Sequence, residues 1–150
     1  MKLKKFRNFG KRKKVNMENK RKHLEFIQRV INRMAGNLFF LRGWTITLIV
    51  ALLALFVKGT NSNYIIYFLL VLVLVFWILD GYFLSQERLF RALYNHVRKL
   101  GEKEIDFSMN TSEHKKDKKN TWVYAMFSST LLVFYLPLAG VALLIAYLIN

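Results

Sequence analysis

The chain has 150 residues, 54% of them hydrophobic and 15% aromatic, and a formal net charge of +15. It has no cysteine, which excludes disulfides, thiolate metal sites and cysteine nucleophiles. A soluble nucleic-acid binder of this charge mixes its cations with its apolar residues. Here every Lys and Arg except Lys58 lies within 2–42 or 88–119, and 43–57, 59–79 and 121–150 carry no charge. Such segregation predicts an all-α membrane protein that keeps its basic parts on one side.

Residues 1–20 are cationic with Glu18 as the single acid, and Leu3, Phe6, Phe9 and Val15 are too few for a core. A basic disordered tail is expected, drawn to an anionic leaflet rather than to nucleic acid. No short apolar run with a cleavage-type site follows the early lysines, so this block is expected to be retained. Residues 21–41 predict an amphipathic interfacial helix, because Leu24, Ile27, Ile31, Met34, Leu38 and Leu41 recur at spacings of three and four. That face suits either the membrane interface and a neighbouring cytosolic helix, or a short coiled-coil-like seam between subunits.

The first span is expected over 42–58. Its uncharged part is short for a hydrocarbon core of about 30 Å, so Arg42 must sit near the boundary. Arg42 is read either as a snorkelling topology anchor or as a bundle-facing functional cation. Residues 58–63 make a polar turn, and the second span occupies 64–80, without a small residue between Tyr64 and Leu79. Asp80 ends it. A cytosolic helix then continues over 81–100 with Gly101 as its stop, carrying Phe83, Phe90, Leu93, Val97 and Leu100 on one face. A face this apolar needs a partner, either residues 21–41 or another subunit.

A polar loop is expected over 101–120. Residues 121–149 read either as one span kinked at Pro137 or as an interfacial segment followed by a span from Phe127. Fourteen Lys and Arg precede the uncharged part of the first span at 43–57, one separates that part from the second span, and nine separate the second span from the third. The positive-inside rule then predicts a cytosolic N-terminus and an external C-terminus.

Candidate interface residues are Leu24, Ile27, Ile31, Met34, Phe83, Phe90, Leu93 and Val97, for a homo-oligomer or a partner. Candidate boundary charges are Arg42, Lys58, Asp80, Glu87, Arg88 and Arg91, of which the last four are read either as ordinary capping and helix pairing or as a pore-mouth ring or helix switch. His23, His96 and His114 are far apart in sequence and show no metal-ligand spacing. No phosphate loop or nucleophile elbow is present, so neither an enzyme nor a cofactor is expected.

Segments 22–55 (KHLEFIQRVINRMAGNLFFLRGWTITLIVALLAL) and 77–100 (WILDGYFLSQERLFRALYNHVRKL), with DFSMNTS at 106–112 and W-x₄-FSST-x₃-FY at 122–135, resemble a group of small bacterial three-span membrane proteins. Their architecture is similar to the SLATT effectors of bacterial anti-phage systems. The resemblance implies a non-enzymatic effector of the bacterial inner membrane that permeabilises the bilayer when a nucleotide signal or a TIR-type or nucleotidyltransferase partner triggers it. SLATT units have two spans, and a third is expected here. The alternative is a membrane anchor that recruits a cytosolic partner through 83–100.

Overall fold

The computed structural model describes residues 2–57 and 62–149, and among these the chain is helical with no strand. Helix α1 runs Lys2–Val57 and α2 runs Ser62–Lys99. Two 3₁₀ turns follow, Ser112–Lys116 and Lys118–Asn120, then the short α3 (Trp122–Met126) and α4 (Ser129–Ile149). Helix α2 is the centre of the bundle: α1, α3 and α4 all pack on it, while the described backbones of α1 and α4 do not meet.

The hairpin of α1 and α2 follows from one apolar stripe. On α1 the stripe buries Ile27, Ile31, Leu38, Thr45 and Ile49, at spacings that keep one helix face turned inward. Residues 21–41 and the first apolar run therefore share a single continuous face. At the polar end, Ile27 and Ile31 pack with Leu93, Val97 and Ile105, flanked by Leu24, Phe90, Tyr94 and Leu100. Each such side chain removed from water contributes roughly 1.5–3 kcal/mol. At the apolar end, Ile49 shares one buried cluster with Leu69 and Val73 of α2 and Leu131, Tyr135 and Ala142 of α4.

Helices α1 and α2 each contain a stretch long and apolar enough to cross a membrane, within Met17–Leu55 and Ile66–Lys99. Only 17% and 22% of their most apolar windows are buried, so they are not core helices of this chain. Their outward faces carry Trp44, Ile46, Val50, Tyr67, Phe68, Val71 and Leu74. Helix α4 adds a shorter uncharged stretch, Ser129–Ile145, and continues through Pro137.

Three sequence expectations change in detail. Residues 2–20, expected as a disordered tail, are helical backbone continuous with α1. Lys, Arg and Met are good helix formers, and extending a packed helix avoids the cost of nucleation. Gly101 does not terminate α2 through a left-handed turn. Instead Lys20 Nζ donates to the carbonyls of Leu100 at 2.7 Å and Arg98 at 3.3 Å, satisfying orphan C-terminal acceptors with a cation.

The 101–120 segment is less free than a polar loop. Ile105 is buried in the hairpin, and Asp106, Ser108 and Asn110 each accept from the amide two residues ahead. The last apolar stretch divides at Phe127 and Ser128 into α3 and α4, so a separate entry segment precedes the long helix. The turn expected over 58–63 lies outside the described residues up to position 61, and with it Lys58.

Glycine matters at one place. A Cβ on Gly81 would collide with Met126 Cγ and lie 3.2 Å from Met126 Cα, so α3 can lie this close to α2 only where no side chain intervenes.

Candidate functional site

Three helices bring polar side chains to one buried point. Arg42 and Thr45, three residues apart on α1, share a face. Arg42 Nε donates to Asp80 Oδ2 of α2 at 2.8 Å. Asp80 is fully buried, and the Arg42 side chain is 27% exposed, so its cation lies at the edge of the cluster while its partner lies within. The guanidinium also stands 5.7 Å from the ring centroid of Phe134 on α4, a cation–π distance.

Tyr135 completes the cluster from α4. It is fully buried, and its hydroxyl faces Asp80 and Thr45 without a well-formed hydrogen bond. Thr45 Oγ1 donates to its own helix at Leu41 O, 2.8 Å away. Trp77 stacks on the Tyr135 ring at 6.0 Å and 9°. Its indole N–H donates to Met126 O at 2.9 Å, and the Trp122 indole donates to Ile78 O at 3.1 Å. These two bonds hold α3 across α2 just above Asp80.

Among the described residues, Asp80 Oδ1, Tyr135 OH and Ser128 Oγ are buried without a protein hydrogen-bond partner. Unpaired buried polar atoms lose solvation that nothing replaces, which costs about 1–3 kcal/mol each. The cluster is thus held by one charge pair and surrounding packing. A buried pair is strongly destabilised when one partner is removed, because the other charge stays uncompensated.

The expected boundary charges do not form a single group. Asp80 is joined to Arg42, while Glu87 accepts from Arg91 one turn away at 2.6 Å. Arg88 Nη1 donates to Lys119 O at 3.0 Å, fastening the second 3₁₀ turn to α2. The expected interface residues are largely committed within the chain: Ile27, Ile31, Leu93 and Val97 are buried against one another, with Leu24 and Phe90 beside them. Met34 and Phe83 are half-buried.

Sequence reasoning missed Thr45, Trp77, Gly81 and Tyr135. The Arg42–Asp80 pairing had a readable signal: both residues lie 19 positions from residue 61, near the middle of the polar turn, so an antiparallel hairpin sets them level. Tyr135 had no such signal, since no spacing rule fixes α4 against α2. The structure also brings together His96 and His114, with ring centroids 5.7 Å apart. Still, no group of three His, Asp or Glu among the described residues is placed to hold a metal ion.

This site has no nucleophile–base pair. Its arrangement suits holding helices in register. The fold and the site define an all-helical chain with two helices apolar enough to cross a membrane and an ion pair joining them. Compared with protein-family models, curated proteins and solved structures, the chain matches none of them.

Proposed function

We propose that the chain is a three-span protein of the bacterial inner membrane, with its N-terminus cytosolic and its C-terminus outside, and that it acts as a non-enzymatic effector. In this reading it perturbs or permeabilises the bilayer during anti-phage defence, triggered by a nucleotide signal or by a TIR-type or nucleotidyltransferase partner. The described fold is then its resting state. The observation that carries the proposal is the Arg42–Asp80 pair, a buried ion pair linking two helices whose outward faces are apolar. Buried charges at membrane depth are costly and mark functional positions.

The resting state has no water-filled path, because the polar side chains between the helices are too few to line one. Activation separates the helices at the pair. That movement exposes the 22–41 and 83–100 faces, now packed together, for assembly with further copies of the chain. The anchor reading relies on the same 83–100 face, and no observation favours it over the effector.

The test is to express the protein with its genomic neighbours and follow membrane potential during phage challenge. The effector reading predicts depolarisation that accompanies protection and is altered in Arg42 and Asp80 variants. Intact protection with unchanged polarisation contradicts it.

A further inference from the structure

Away from the ion pair, the 102–111 segment closes over α1 and leaves a cleft of about 490 Å³ lined by Asn19, Lys22, His23, Phe26, Val30, Phe107 and Met109. Its size falls within the ordinary range for small-molecule sites. Its walls are mainly apolar: the rings of Phe26 and Phe107, both about half exposed, the Met109 thioether and Val30. None of these groups takes part in the Arg42–Asp80 cluster.

Two further observations bear on the cleft. His23 is 5% exposed, and its Nε2 is buried with no protein partner among the described residues. With no accessible area, that nitrogen lies behind the wall of the cleft and not on its open surface. In addition, Phe107 has φ of 57°, the only positive φ of a non-glycine residue among those described. A bulky residue in that region is strained, and such strain concentrates where side chains clamp ligands. Here it sets the Phe107 ring edge-on to His23 at 5.5 Å, so the strained residue forms the wall opposite α1.

We propose that this cleft binds a small anion with a flat apolar body. The ring surfaces and the thioether take the body through stacking and sulfur–aromatic contacts. Lys22, the one charged residue in the lining, takes the anionic group at the rim, where it now pairs with Glu18 at 3.0 Å. Asn19 adds a neutral donor and acceptor beside it. An occupant would touch both α1 and the 102–111 segment, and so fasten the approach to α3 onto the hairpin.

The test uses the full chain in phosphatidylcholine nanodiscs, with 2-naphthoate as the probe and uncharged 2-naphthamide beside it. Saturable naphthoate binding is expected, with a shift of the ¹³C-methyl resonance of Met109 and roughly tenfold weaker binding of the amide. Lys22→Gln and Phe107→Gly are each expected to weaken naphthoate by about tenfold. Lys22→Gln alters an exposed side chain, and Phe107→Gly suits the positive φ, so both keep the helical signal of the parent protein. The proposal is overturned if naphthoate does not bind saturably, or if empty nanodiscs take it up equally. It is also overturned if the amide binds as tightly or if neither variant weakens binding.

Discussion

At the scale of single residues, Arg42 and Asp80 decide more than any other pair. Asp80 is fully buried, and its second oxygen has no protein partner among the described residues, so Arg42 is the main compensation for its charge. Replacing Arg42 with Met, or Asp80 with Leu, is expected to cost about 3–5 kcal/mol each, because each change leaves a charge uncompensated. The double variant is expected to lose far less than the sum. Thermal unfolding of the four proteins reads this as a double-mutant cycle, and additive losses would show that the pair is not coupled. Gly81→Ala is the second test at this scale. Its new methyl group collides with Met126, so overpacking should cost about 1–3 kcal/mol, seen as a lower Tm.

The same scale shows where sequence reading stops. Arg42 and Asp80 stood out as charges beside apolar runs, and the hairpin register places them level. Tyr135 looked like one more aromatic residue in an uncharged stretch. It is fully buried, stacked on Trp77 and turned toward Asp80, because α4 settles against α2 through side-chain fit that no periodicity records. His23 and Phe107 likewise meet only because the 102–111 segment folds back onto α1.

At the scale of elements, the amphipathic faces of 21–41 and 81–100 were legible as spacing, but their partner was not. Both a second subunit and the other helix satisfied the pattern. The fold pairs them with one another, since the packing of α1 against α2 brings the two faces together within one chain without the entropic cost of association. Ile27→Ala or Leu93→Ala should therefore destabilise the protein by about 2–5 kcal/mol while its mass in the resting state stays unchanged. Light scattering beside thermal unfolding separates this from a subunit seam, for which the substitutions would lower the mass. The polar loop was legible as polar, yet the burial of Ile105 was not, because a lone Ile among charged residues carries no period.

At the scale of the molecule, α2 holds the structure together. Its apolar half meets α4 and the apolar part of α1, its polar half meets 21–41, and α3 crosses it at Gly81. The Arg42–Asp80 pair sits where these regions join. In the proposed function, a break there loosens α1 and α4 from α2 together, and a local charge change reaches the whole bundle. Leakage of a small fluorescent dye from vesicles holding the purified protein tests this most directly. The proposed resting state predicts sealed vesicles with the parent chain, leakage with Arg42→Gln or Asp80→Asn, and a restored seal when Arg42→Asp is combined with Asp80→Arg. Equal leakage from all four proteins, or sealed vesicles from every one, would contradict it.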